Sequence, residues 1–384
     1  MTAVGPAVPE GTRLVHIGPH KTGSTAIQVA LDSARDRLAE HGVAYVTTGS
    51  YRPRKAAWAL GIRGRPNGTA QPPMRHWRRF VEAVDAADAP RVCVSNEDFG
   101  RATPSQIARL VADLGGDRVR VVAVARRLDR YLPSQWQERV KAGDERPYDA
   151  WLRVVLDTDD PGRDWDRRNV WFSHDVRALV DRWTAVVGPD RFTLIVSDEA
   201  DHSLIPRTFD ALLGLPDGFV VPDPSRSNRG LSWAETELLR ETNQVLEDRG
   251  VLRPQRRRLL TAGVLRDMRA RPTPPGPKSP PLPEWAADRL RALGDQRVDD
   301  VRALADAGVR VIGDPELMRL PAEVPVAPPP LPLPALDLSV AAQALASALA
   351  LRATPPEDPA DQPDDQPDDQ PDDQTADEDE GNPE

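Results

Sequence analysis

The chain has 384 residues, enough for one large domain or two ordinary ones, with 39% apolar residues and nine tryptophans to fill a core. No apolar run reaches membrane-spanning length, no charged-then-apolar leader opens the chain, and the single cysteine, Cys93, rules out an internal disulfide; together these predict a soluble, cytoplasmic protein. The formal charge of −10 is unevenly spread: fourteen Asp and Glu and no Lys or Arg lie in 354–384, so the remainder carries +4, which suits an anionic small ligand, while the lack of a basic stripe with interleaved aromatics argues against nucleic acid.

In chain order, "RLVHI" (13–17) reads as a buried strand, followed by a helix from about Ser24 with Ile27, Leu31, Ala34 and Leu38 on one face and Gly42 as its stop. The valine-rich runs "RVCVS" (91–95) and "VRVVAVA" (119–125) and the segment "RFTLIVS" (191–197) read as further buried strands. Helical patterns cover 103–114, 129–142, 174–187, 203–214 and 232–248. Strands separated by helices predict an α/β fold of three layers, a mostly parallel central sheet covered on both faces. Residues 50–73, 157–170 and 271–283 read as long polar or proline-rich loops, of the kind that often line a substrate site. The α/β domain is expected over 1–320, a proline- and alanine-rich spacer with a short apolar helix over 321–353, and a disordered acidic repeat over 354–384.

The first motif is "HIGPHKTGSTAIQ" (16–28), where a strand, a glycine-containing turn and a helix start follow one another. Backbone N–H groups and a helix N-terminus in that order make an anion site. A Walker A loop places its lysine directly after the last glycine, where it reaches the β- and γ-phosphates of a nucleoside triphosphate. Here Lys21 precedes Gly23, so the loop is built for a phosphate but not for ATP hydrolysis.

These residues resemble the sulfotransferases that use 3′-phosphoadenosine 5′-phosphosulfate (PAPS), whose loop reads P-K-[ST]-G-[ST]-[ST]; "HKTGST" matches it except that His20 stands for the proline. The resemblance implies a P-loop-type α/β fold and implies that Lys21, Thr22, Gly23, Ser24 and Thr25 wrap the 5′-phosphosulfate. In that family an arginine closing a later strand and a serine eight residues on hold the 3′-phosphate, and "VVAVARRLDRYLPSQWQERV" supplies Arg126 and Ser134 in that relation. Leu128 stands where the family usually has proline, so Arg127 remains the alternative to Arg126.

Weaker likeness runs from about residue 13 to 312. "FSHDVRALVDRWTAVVGPDRFTLIVSDEA" looks like the family's helix–tryptophan–strand segment ending in an acidic pair, with Trp183 and Phe192 read as core. "SRSNRGLS" (225–232) falls where the family closes a loop over the nucleotide, which would make Arg229 and Gly230 contacts; the alternative is a plain helix start capped at Ser232.

Sulfuryl transfer needs a cation near the leaving oxygen and a base for the acceptor. Lys21 is the expected cation. Glu97, at the carboxyl end of the "RVCVS" strand, is the first choice of base, with Asp98 and His76 as substitutes. His20 is expected to matter through its backbone, and His16, His174 and His202 to be structural. No metal-ligand pattern stands out, and none is expected. The expected partner is a hydroxyl-bearing carbohydrate or small-molecule acceptor. The competing readings are a non-catalytic nucleotide-binding protein, against which Lys21, Arg126 and Ser134 argue together, and a small-molecule kinase on a variant P-loop.

Overall fold

The computed structural model describes residues 5–63, 70–156, 164–223 and 230–353; Arg229 and the acidic repeat at 354–384 lie outside them. The strands are β1 (Thr12–His16), β2 (Val43–Tyr45), β3 (Arg91–Ser95), β4 (Val119–Ala125), β5 (Phe192–Val196), β6 (Leu282–Pro283), β7 (Arg310–Ile312) and β8 (Val326–Ala327). The helices begin with α1 (Ser24–Ser33), α2 (Arg35–Glu40), α3 (Arg54–Ala59), α4 (Arg75–Asp85), α5 (Pro104–Asp113), α6 (Leu128–Lys141), α7 (Tyr148–Leu156) and α8 (Trp165–His174). They continue with α9 (Val176–Val187), α10 (Leu204–Leu213), α11 (Trp233–Asp248), α12 (Arg253–Leu259), α13 (Arg266–Arg269), α14 (Glu284–Asp306) and α15 (Leu338–Ala353).

Six strands form one wholly parallel sheet in the order β2-β3-β1-β4-β5-β7. Because both faces are covered, the strands are apolar without alternation in polarity, and successive side chains feed two different cores. Leu14, Val122, Val124 and Ile195 pack with Ile27, Leu31 and Leu38 of α1 and α2 and Phe209 of α10. Val15, Val121, Ala123 and Leu194 pack on the other side with Phe80 of α4, Ile107 of α5, Trp183 of α9 and Val301 of α14. Trp183 and Phe192 are fully buried core residues, as their sequence pattern predicts. Each such side chain contributes roughly 1.5–3 kcal/mol by leaving water. A third apolar cluster joins Trp136, Trp151, Leu239 and Leu290 from α6, α7, α11 and α14.

The sheet puts β1 in the middle, hydrogen-bonded to β3 on one side and β4 on the other. The chain visits β2 and β3 on one side of β1, then crosses to β4 on the other. The carboxyl ends of these strands border the crevice where such sheets bind ligands. β1, β3 and β4 carry the three segments singled out in the sequence, so the topology gathers them at one edge.

Several boundaries differ from the sequence expectation. The helix expected from about Ser24 to a stop at Gly42 is two, broken at Ala34, whose φ of −104° leaves the helical region. The helix expected over 174–187 begins at Val176: Asp175 caps it by accepting the Ala178 N–H, and His174 ends α8 instead. The loop expected over 157–170 is helical from Trp165, capped by Asp164; 157–163 lies outside the described residues. The 321–353 spacer returns to the body, since β8 pairs with β6 and Ala344 and Ala348 of α15 pack on the third cluster. Among the described residues no helix is long and apolar enough to cross a membrane.

Candidate anion-binding loop and its surroundings

Residues 17–23 connect β1 to α1 and are stitched to β4, with Ile17 N–H donating to Val122 O at 3.0 Å and Val124 N–H to Gly18 O at 2.8 Å. Gly18 has φ +77°, and a Cβ there would lie 2.6 Å from the Glu97 Cβ, so only glycine lets the loop rest on the turn after β3. Lys21 has φ +64°, which among the described residues makes it the one non-glycine in the left-handed region. A lysine held there costs on the order of 1–3 kcal/mol, a strain characteristic of functional turns. Gly23 (φ +93°) precedes α1 and offers no side-chain cap, so the first N–H groups of the helix are not covered by a capping residue. Thr22 Oγ1 donates to Pro19 O at 2.7 Å and Ser24 Oγ to the same oxygen at 3.4 Å, which closes the turn from inside. Thr25, half-buried, is in the first turn of α1.

The two motifs meet. Arg126, the first residue after β4, donates from Nη1 to the Lys21 carbonyl at 2.9 Å across a separation of 105 residues. Its other nitrogens are held by Glu199, Nε to Oε1 at 2.7 Å and Nη2 to Oε2 at 3.0 Å. Burial pushes the Glu199 carboxyl up, but Arg126 outweighs it and holds the group below its ordinary range. Arg127 instead turns to Asp129. Lys21 Nζ reaches Glu138 Oε1 at 2.7 Å, and Lys141 shares that carboxylate. Ser134 lies one helical turn before Glu138 on α6, hence on the same face. Its hydroxyl makes no hydrogen bond among the described residues.

The acidic turn after β3 touches the loop from the other side. Glu97 is buried, ion-paired to Arg52 and accepting from Gln28 Nε2 at 2.6 Å. Burial pushes its carboxyl up, but Arg52, His20 and Gln28 outweigh it and hold it far below the usual carboxylate range. So Glu97 stands where expected but is a weak proton acceptor at neutral pH, and its present role is to hold Arg52 and Gln28 against the loop. His20 departs from expectation because its ring is engaged: Nε2 is 2.9 Å from Asp98 Oδ1, and Nδ1 is 3.9 Å from Glu97 Oε1. Asp98 also accepts from Trp58 Nε1 at 3.0 Å, which fixes the carboxylate that orients the imidazole. Asp98 is buried, and its carboxyl, pushed up by burial, is nonetheless held below the usual range mainly by His20.

The remaining candidates fall elsewhere. His16 is fully buried, 2.7 Å from Ser95 Oγ through Nδ1, and burial draws its pKa down to about 4. His76 is in the first turn of α4. Gly230 precedes a capping box in which Ser232 and Glu235 satisfy each other's backbone N–H groups. The same turn touches α6, since Gln137 Nε2 donates to Leu231 O at 3.4 Å. Glu138 and Glu199, which hold the two cations, were not assigned from sequence; the Glu138–Lys141 spacing on a helix is a signal for the first, and the acidic pair ending "RFTLIVSDEA" contains the second.

The donor set at this edge is a left-handed lysine, an uncapped helix start, hydroxyls at Ser24, Thr25 and Ser134, and a guanidinium bonded to the loop. It fits a ligand with phosphate groups at two ends, each phosphate taking over a cation now held by a carboxylate. No family model matches the chain, and no curated protein sequence does. Among solved structures, a sulfotransferase from Alicyclobacillus acidocaldarius is similar at 17% identity, over 65% of this chain and 94% of that one, with a TM-score of 0.38.

Proposed function

We propose that this chain is a sulfotransferase that takes PAPS as donor and moves its sulfuryl group to the hydroxyl of a carbohydrate or other small acceptor. The observation that carries the reading is the 2.9 Å bond from Arg126 to the Lys21 carbonyl, which joins the two motifs. When bound, PAPS supplies an activated sulfuryl group. The acceptor oxygen bonds to sulfur, the bond from sulfur to the bridging phosphate oxygen breaks, and 3′,5′-ADP leaves with that electron pair.

The loop from Lys21 to Thr25 holds the 5′-phosphate end. Lys21 leaves Glu138 to neutralise charge gathering on the leaving oxygen. Arg126 and Ser134 hold the 3′-phosphate, with Glu199 released from Arg126 as the phosphate takes its place. Arg229 and Gly230 are assigned the adenosine side, as the resemblance implies. We assign the proton of the acceptor hydroxyl to His20 rather than Glu97. The imidazole stands in the loop itself and is oriented by Asp98, an arrangement suited to general-base work, whereas Glu97 is neutralised by Arg52.

Calorimetric titration of the whole chain tests the donor. The expected result is micromolar binding of 3′,5′-ADP and binding of ATP–Mg²⁺ weaker by about a hundredfold. Preference for ATP–Mg²⁺ would overturn the reading in favour of a kinase.

A further inference from the structure

A cavity of about 610 Å³ opens beside the loop, a volume in the range of small-molecule sites. Two of its wall residues tie it to the site above. Arg101 lies 4.0 Å from Asp98, and the ring of His174 faces the backbone of His20. The wall carries six arginines, Arg63, Arg101, Arg167, Arg168, Arg289 and Arg297, against two carboxylates, Asp175 and Asp300. Arg63, Arg168, Arg289 and Arg297 form no ion pair among the described residues, and neither do Asp175 and Asp300.

Arg297 is the telling member. It is 95% buried (5% exposed), and its only hydrogen bonds among the described residues run from Nη2, to Arg126 O at 3.1 Å and to the Met318 sulfur at 3.8 Å. Nε and Nη1 are buried with no hydrogen-bond partner among the described residues. Burial draws the guanidinium down to about 10, so it is still charged at neutral pH. A buried cation with two donors unpartnered among the described residues costs several kcal/mol, which Asp175 and Asp300 on the same wall offset only in part. Trp171, Phe172 and Leu293 supply an apolar wall beside these charges.

We propose that this cavity receives the acceptor and that the acceptor is an anion: a hydroxyl compound with an oxyanion group for Arg297 and its neighbours and a ring face for Trp171 and Phe172. The proposal rests on the sulfuryl-transfer reading only in making the ligand an acceptor, since the preference for an anion follows from the cavity itself.

The test uses the full chain and three matched probes: phenyl β-D-glucuronide, neutral phenyl β-D-glucoside, and that glucoside sulfated on its hydroxymethyl group. Titration is expected to show the glucuronide, the sulfated sugar or both binding at least about tenfold tighter than the glucoside, and the tighter of the two identifies carboxylate or sulfate as the preferred group. Arg297→Gln is expected to remove that advantage. Because Arg297 also supports the Arg126 carbonyl, the exposed rim variant Arg168→Gln with Arg289→Gln serves as the second arm. It should weaken the anionic probes severalfold and leave the glucoside unchanged. Equal binding of all three, or binding of none at millimolar concentration, overturns the proposal. So does competition between saturating 3′,5′-ADP and the anionic probes. Failure of 3′,5′-ADP to bind, with the anion preference intact, would overturn the donor reading and leave this one standing.

Discussion

The loop and the cavity both concentrate positive charge, yet they neutralise it in opposite ways. At the loop every cation named has a carboxylate: Lys21 has Glu138, Arg126 has Glu199, and Arg52 has Glu97. On the cavity wall Arg297 is buried with no carboxylate bonded to it, and its neighbours Arg168 and Arg289 form no ion pair among the described residues. The difference teaches what each region is for. Paired cations hold a strained turn in shape, and in the proposed function they exchange one anion for another. A buried cation with no ion pair gives back, through the Arg126 carbonyl and the more distant Asp175 and Asp300, only part of what its burial costs, and an anion from outside would offset the rest.

The largest effect expected is at the loop. Lys21→Ala should cut turnover about a thousandfold and His20→Asn about a hundredfold. Only the lysine variant should also weaken 3′,5′-ADP, as read by titration beside a PAPS-dependent assay. Turnover within severalfold of wild type for either variant would remove that residue from the chemistry.

Stability sharpens the contrast directly. Arg52→Met strands the Glu97 carboxylate in the interior and should lower unfolding free energy by about 3–5 kcal/mol. Arg297→Met strands no ion-paired carboxylate, and its unfolding free energy, read by urea titration, should stay within about 1 kcal/mol of wild type or rise. Equal losses in the two variants would erase the distinction between paired and unpaired regions.

A pH dependence is expected beneath the loop. His16 has its pKa lowered by burial from 6.5 to about 4, so between those values the unfolded chain binds a proton that the folded chain refuses. Stability should therefore fall as pH drops from about 6.5 toward 4, by up to about 1.4 kcal/mol per unit from this group. Urea midpoints across that range should flatten in His16→Asn; an unchanged slope would mean that His16 is not the group responsible.

Much of this was legible in the chain. The valine-rich runs of β3 and β4 could be placed to the residue, because a strand buried on both faces has no polar break in it. The strand-to-helix turn was legible because its glycines and lysine stand out between two apolar runs, and they bring what an anion site would need, open backbone N–H groups and a positive charge. The short edge strands β2 and β7, three residues each, gave no signal of that strength. Nor did the chemistry of a carboxylate: Glu97 and Asp98 are adjacent in sequence, yet one faces Arg52 and the other the His20 ring.

Local order thus determined the strand and helix succession of the α/β architecture and the glycine-and-lysine turn after β1, since each depends on residues within a few positions of one another, while Arg126 and Ser134 were singled out by the family resemblance. Which carboxylate neutralises which cation, whether a histidine ring points into the site, and where an arginine is left without a partner were decided only by packing. Those relations join residues such as Lys21 with Glu138 and Arg126 with Arg297. Electrostatic energy depends on distance and burial in space, and neither is written along the chain.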